Sequence, residues 1–284
     1  MERELALIGY GEAGSTFALA GRWGASARVY DLLEERRAAA AEAGLRRCDS
    51  AADAIDGCAL VLSLVTADQA LVAAKGAAQH IKSGAIFCDL NSASPGTKQA
   101  AATAIEQAGG RYVDVAIMGP VNPSRLNVAL LLSGPAGSDA ERAFAGLGFT
   151  NCQVVGSKVG QASAVKMIRS VIVKGMEALT AEAMLAADAA GVVDEVLSSL
   201  DAGDKPRSWA ERADYNLDRM MVHGLRRAAE MDEVCATLES LGVEPLLTRG
   251  TADRQRQIGS LRLRPAQDLD AKLAQLGERK ADAA

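Results

Sequence analysis

Gly9–Tyr10–Gly11–Glu12–Ala13–Gly14 sets three glycines at G-x-G-x-x-G spacing, directly after the apolar run Leu5–Ala6–Leu7–Ile8. Each glycine answers a separate demand of a bound pyrophosphate. Gly9 permits a tight turn, Gly11 lets backbone approach the phosphates, and Gly14 lets the following helix pack closely on a sheet. The N-terminus of that helix then faces the anion. A second apolar stretch, Ala27–Arg28–Val29–Tyr30, ends in Asp31, about twenty residues on, where a carboxylate can accept hydrogen bonds from adenosine ribose hydroxyls. The set reads as an NAD site. Arg36 and Arg37 follow closely enough to reach back, so NADP stays open. Val65 and Thr66, after the run Leu60–Val65, and Asn91, after Ala85–Asp89, complete the candidate cofactor contacts.

A second group lies in the middle of the chain. Lys166, Ser170 and Glu177 share one face of a long, otherwise apolar helical segment, with Lys174 at its edge. Polar groups on such a helix are costly unless paired or facing a cleft. A lysine there can exchange a proton with a substrate hydroxyl, or it can simply snorkel to solvent. Further on, His223 shares a helix side with Arg219, Arg227 and Glu230. That side is a substrate-anion stripe or a solvated face. Arg249, Arg254, Arg256, Arg262 and Arg264 crowd residues 248–264 and suit an anion clamp, a subunit interface or plain surface equally. The segments after two strands, Asp89–Ser94 and Asp114–Asn122, bring Met118, Gly119 and Asn122 forward as substrate contacts, since ligands sit beyond strand carboxyl ends. Ser94–Pro95 also makes sense as an ordinary helix cap.

These residues need elements to hold them. Short apolar runs alternate with helical segments through residue 160: helix Leu33–Gly44, strand Leu60–Val65, helix Asp68–Gln79, strand Ala85–Asp89 and helix Pro95–Ala108. Strands follow at Arg111–Ile117, at Ala129–Ser133 and near Val154–Val155. That order predicts an α/β fold with a doubly wound sheet and helices on both faces. From Gln161 onward the strand pattern stops. Helices are expected over Ser163–Ala189, Val192–Leu200, Ser208–Leu241 with Gly242 as C-cap, and Ala266–Arg279. The domains expected are 1–160, binding a dinucleotide, and 161–284, all helical. The apolar circumference of Ser163–Ala189 predicts a homodimer or dimer-based oligomer.

Bulk properties narrow the classes. The 284 residues carry a net charge of −5, which argues against nucleic-acid binding. No apolar run is long enough to span a membrane. The charged start enters a strand at once and does not read as a secretory leader. Five scattered cysteines without a C-x-x-C fit a reducing, cytoplasmic setting, and two histidines make a metal cluster unexpected.

With these motifs in place, the chain resembles the 3-hydroxyacid dehydrogenase family, which includes 6-phosphogluconate dehydrogenases and imine reductases. Within it, the C-terminal half is similar to a phosphogluconate-dehydrogenase-like branch. The resemblance is carried by Gly9–Gly14, Asp114–Pro120 and Gly156–Lys166. It implies a Rossmann domain followed by a helical domain, NAD or NADP, a dimer or tetramer, and a general acid/base lysine that matches Lys166. Three positions depart from the family. Arg169–Ser170 stand where an Asn pair is common. Met118–Gly119–Pro120 replace a Ser before Gly-Gly. His223–Gly224 replace a Lys-Asp pair. With the cofactor half intact and the substrate half altered, the resemblance implies hydride transfer from the hydroxyl of a different small, acidic compound. Arg169 or His223 would hold its anionic group. An imine or ketone reductase is the alternative enzyme; a dinucleotide-binding protein without turnover is the alternative outside catalysis.

Overall fold

The computed structural model describes residues 5–203 and 208–281, without the side chains of residues 177, 178, 181, 203, 230, 233, 236, 237, 240 and 278–281. Glu177 and Glu230, singled out above, thus lie outside the described side chains. Up to Gly156 the elements are β1 (Leu5–Ile8), α1 (Glu12–Gly21), β2 (Ala27–Tyr30), α2 (Glu34–Glu42), β3 (Arg46–Arg47), α3 (Ala51–Ile55), β4 (Leu60–Ser63), α4 (Ala70–Ala78), β5 (Ile86–Asp89), α5 (Pro95–Gln107), β6 (Arg111–Ile117), β7 (Leu130–Ser133), α6 (Gly137–Gly146) and β8 (Cys152–Gly156). Then come α7 (Gln161–Ala190), α8 (Val193–Gly203), α9 (Trp209–Ser240), α10 (Leu246–Ser260) and α11 (Leu269–Ala281). The chain divides into two compact units, one up to Val171 and one from Ile172, so the division falls inside α7.

The first unit holds one eight-stranded Rossmann-type sheet in the order β3-β2-β1-β4-β5-β6-β7-β8. Its strands read as unbroken apolar runs because both faces are covered. Along β1, Leu5 and Leu7 enter one core cluster with Phe17, Val29 and Phe144. Ala6 and Ile8 enter the other with Val61, Phe87 and Tyr112. The exposed arginines of β3 occupy one edge, where charge discourages pairing with another chain.

One pairing in the otherwise parallel sheet is different: β7 runs antiparallel to β6. Residues 118–129 contain only a short helical turn, Arg125–Asn127, and no crossover helix. Without a crossover, a return strand can only pair antiparallel. Three helices were not anticipated: the short α3, α6 and α10. α6 buries Ala140 and Phe144 on one face between glycine-rich ends. α10 occupies the arginine-rich stretch and buries Thr248, Ala252, Gln255, Ile258 and Gly259, of which Ile258 alone is large and apolar, so the face carries little hydrophobic signal.

In the second unit, α9 opens on a reciprocal cap. The Glu211 N–H donates to Ser208 Oγ at 3.2 Å, and Glu211 Oε2 accepts from the Ser208 N–H at 2.8 Å. α9 and α10 meet almost backbone to backbone at a glycine pair. A Cβ added to Gly224 would stand 2.9 Å from Gly259 Cα. Among the described residues, no helix is long and apolar enough to cross a membrane.

Candidate active site

Gly9, Gly11, Glu12, Asp31, Val65 and Thr66 line one cleft of about 640 Å³ beyond the ends of β1, β2 and β4. Gly9 has φ +99°, and a Cβ there would meet the Leu64 carbonyl oxygen at 2.4 Å. Gly14 is pressed against the Gly9 carbonyl in the same way. Around Gly11, in contrast, nothing comes closer to an added Cβ than Arg36 Nη1 at 3.5 Å. No side chain caps α1. The glycines therefore do three different jobs, and the middle one leaves backbone open where an anion would sit.

Asp31 is buried. Its Oδ2 accepts the Tyr10 N–H at 2.7 Å and its Oδ1 accepts the Leu33 N–H at 3.0 Å. The carboxylate thus ties the glycine loop to the turn after β2. The two following arginines separate. Arg37 Nη1 donates to the Asp31 and Leu32 carbonyls, and its Nη2 pairs with Glu34 at 2.6 Å. Arg36 stays on the cleft wall, 3.6 Å from Asp31 Oδ2. The Tyr10 side chain packs in the core, where burial raises the pKa of its hydroxyl. Asn91 is buried at the end of β5. Its Nδ2 donates to Ser63 Oγ at 3.0 Å, while its Oδ1 is buried without a hydrogen-bond partner. A buried orphan acceptor is expensive unless something polar binds there. The open backbone at Gly11 and this acceptor both fit a dinucleotide.

Lys166 lies on the second turn of α7. Its Nζ donates to Ser92 Oγ at 2.6 Å, one residue past Asn91. Ser170, one turn later, spends its hydroxyl donor on the Lys166 carbonyl at 2.9 Å. Arg169 is exposed. Met118 is half-buried and Gly119 exposed, while Asn122 Nδ2 reaches Thr16 Oγ1 on α1 at 3.5 Å. Ser94 caps α5 by accepting the Thr97 N–H at 3.2 Å, so the capping interpretation of Ser94–Pro95 holds.

Sequence reasoning missed the polar cluster beneath this site. Lys98, Asp89 and Asp114 are fully buried, and Tyr112, Ser133 and Ser163 bond to them or beside them. One signal was present: Lys98, Ala101, Ala102 and Ile105 share the helical spacing of a buried stripe, and Lys98 heads it.

In the second unit, His223 is half-buried on α9 and lines a cleft of about 660 Å³ with Arg226, Arg262 and Arg264. The Gly224–Gly259 crossing brings those two stretches together. Arg227 is half-buried outside that lining. Among the described residues, no group of three or more His, Cys, Asp or Glu could hold a metal ion.

A Rossmann-type sheet with a glycine-lined nucleotide cleft, followed by a helical unit, defines an NAD(P)-binding protein of the dehydrogenase and reductase class. Residues 4–156 match the NAD binding domain of 6-phosphogluconate dehydrogenase, and the chain belongs to that family. Residues 187–258 match a domain of unknown function, DUF1932. A conserved hypothetical protein from Sinorhizobium meliloti 1021 is 38% identical, covering 92% of this chain and 89% of that one, with a TM-score of 0.61. The conserved protein MTH1747, described as structurally similar to 3-hydroxyacid dehydrogenases, is 29% identical over 92% and 99%, with a TM-score of 0.60. The imine reductase from Myxococcus stipitatus in complex with NADP+ shares the fold at 20% identity over 89% and 93%, with a TM-score of 0.66.

Proposed function

We propose that this protein is an NAD-dependent dehydrogenase that oxidises the hydroxyl of a small, acidic hydroxy compound. The observation that carries this is the reach of Lys166. Its Nζ stands 2.6 Å from an alcohol oxygen, Ser92 Oγ, in the loop that also presents the orphan Asn91 acceptor. Gly9 to Gly14 would hold the pyrophosphate, Asp31 the adenosine ribose, and Val65, Thr66 and Asn91 the remainder of the cofactor. When bound, the nicotinamide supplies the two-electron hydride acceptor. Lys166, as the neutral amine, takes the hydroxyl proton as the carbinol carbon becomes a carbonyl, and as the ammonium it returns that proton in reverse. Arg169, one turn along α7, supplies positive charge for a carboxylate or phosphate on the substrate.

NAD is the preferred cofactor because a carboxylate at Asp31 repels a 2′-phosphate. Arg36 is the opposing group. Dissociation constants for the two nucleotides decide it, and tighter binding of NADP overturns the preference. We also propose a homodimer. Val165, Ile168, Val171, Ile172 and Met176 are exposed along α7, more apolar surface than one helix leaves bare in a monomer. Sedimentation at micromolar concentration should show at least a dimer; a monomer alone refutes it. The compartment proposed is the reducing cytoplasm, where five free thiols persist.

The central test is a panel of hydroxy acids, sugar acids and imines, followed by nicotinamide absorbance. Lys166→Met should lower turnover about 10²-fold or more, while NAD affinity stays within about twofold, because the pyrophosphate loop is untouched. Near-normal turnover in the folded variant hands proton transfer to His223. Reduction of imines without oxidation of any alcohol selects the reductase. Cofactor binding without any turnover selects the non-catalytic alternative.

A further inference from the structure

The Lys166–Ser92 hydrogen bond closes a ring of contacts whose far side is fully buried. Lys98 Nζ donates to the Asp89 carbonyl at 2.6 Å and to Asp89 Oδ1 at 2.9 Å. Asp89 Oδ1 also accepts the Asn91 N–H at 2.9 Å, and Oδ2 accepts the Tyr112 hydroxyl at 2.6 Å. On the other side, Lys98 Nζ stands 3.4 Å from Asp114 Oδ1. Asp114 Oδ2 accepts the Ser163 N–H at 2.9 Å and the Ser133 hydroxyl at 3.1 Å, and Ser133 Oγ accepts the Ala162 N–H at 2.9 Å. One carboxylate therefore pins the Asn91–Ser92 loop, and the other pins the first turn of α7. A single ammonium holds the two carboxylates together. Lys166 is one turn past Ser163 and returns to Ser92.

Lys98, Asp89 and Asp114 are 0% exposed. Tyr112 remains neutral, because burial first and the Asp89 charge second drive its pKa far upward. Two carboxylates thus share one lysine, leaving one net negative charge buried beside the α7 N-terminus, whose partial positive charge offsets it. Apolar side chains of similar volume would stabilise a core at least as well as a buried ion group. What the ion group adds is directional: it sets the separation of two backbone segments.

We infer that Lys98 is a positioning residue for Lys166, acting through Asp89 on the Ser92 loop and through Asp114 on the start of α7. The inference rests on Lys166 as the proton-transfer group, and its test does not require a known substrate. The variant is Asp114→Asn, which keeps size and an acceptor oxygen but breaks the charge link between Lys98 and α7. The measurement is the pH profile of Lys166 acylation by acetic anhydride, quantified by mass spectrometry, alongside NAD affinity and thermal unfolding. We expect a folded protein with NAD affinity within about twofold and a Lys166 profile displaced by about half a pH unit or more, roughly threefold in the reactive fraction. Ser133→Ala, which keeps every charge and removes the bond to Ala162, should displace it in the same direction by less. A purely structural cluster predicts lower stability with an unchanged Lys166 profile, and that result overturns the inference. Failure of both variants to fold assigns the cluster to stability and overturns it too. Normal turnover by Lys166→Met would sink the proposed chemistry while leaving the positioning result standing, so the two failures are distinguishable.

Discussion

Helices α7 and α10 share a problem and solve it differently. Neither has a capping side chain of its own: Gly160 precedes α7, and Pro245 precedes α10 without a side-chain cap. Both are capped from far away in sequence. For α7 the acceptors are Asp114 and Ser133, which belong to the buried Lys98 cluster. For α10 a single carboxylate suffices. Glu182 Oε2 accepts the Leu247 N–H at 3.0 Å, and Oε1 accepts the Thr248 N–H at 3.0 Å and the Thr248 hydroxyl. Burial raises the pKa of Glu182, but those donors outweigh it and hold the carboxyl below its usual range. Helix α10 thus needs only charge at its positive end. The α7 cap has an extra partner, a buried lysine that also grips the loop facing Lys166. The difference separates a cap that stabilises from a cap that also locates.

The comparison can be broken at several points. The largest effect should come from Lys98→Met, which leaves two buried carboxylates unpaired and should cost about 3–5 kcal/mol by chemical denaturation. Replacing both Asp89 and Asp114 by asparagine in the same protein should recover more than half of that loss. No recovery would mean the cluster matters for shape and not for charge. Glu182→Ala should cost about 2 kcal/mol, confined to the helical unit, with Glu182→Gln losing about half as much. Its pH signature follows from the lowered pKa. The folded state binds its proton less readily than the unfolded chain, so the stabilisation is present above the ordinary value of 4.5 and lost as pH falls through the lower folded value. The glutamine variant should therefore unfold with a flatter pH dependence below about 4.5 than the native protein. The smallest effect belongs to Ser94→Ala at the local cap of α5, about 1 kcal/mol or less. A loss there equal to that at Glu182 would erase the distinction between local and long-range caps.

How much of this was legible in the sequence follows from how local each interaction is. The cofactor loop is written in consecutive residues, and Asp31 follows at a spacing set by one helix and one strand. Lys166 stands out in the sequence because a charged residue interrupts an apolar helix. Ser92 lay within the Asp89–Ser94 segment read as a ligand loop, but its pairing with Lys166 is not visible until α7 is placed. Lys98 was invisible for the opposite reason: a lysine in a helix beginning Pro95–Gly96–Thr97 suggests solvent, and only its register with Ala101, Ala102 and Ile105 shows it facing inward. The antiparallel β7 depends on the absence of a crossover helix, which a list of strands does not reveal. Helix α10 was hidden by its own arginines. They crowd the stretch, while among the buried residues of the inner face Ile258 alone is large and apolar.

The glycine pair at the α9–α10 crossing has a further consequence. Gly259 forms part of the wall of the cleft around His223, and Gly224 lies beside it. There the aperture is governed by two missing methyl groups. A Cβ on Gly259 would fall 2.5 Å from the Leu225 nitrogen, so even alanine must lever the helices apart. The clearance between His223 and the arginines beyond α10 is thereby a dial with a hard lower stop. Substitutions at this pair can only widen it, which makes these two positions the natural place to reshape the cleft without altering any charged residue.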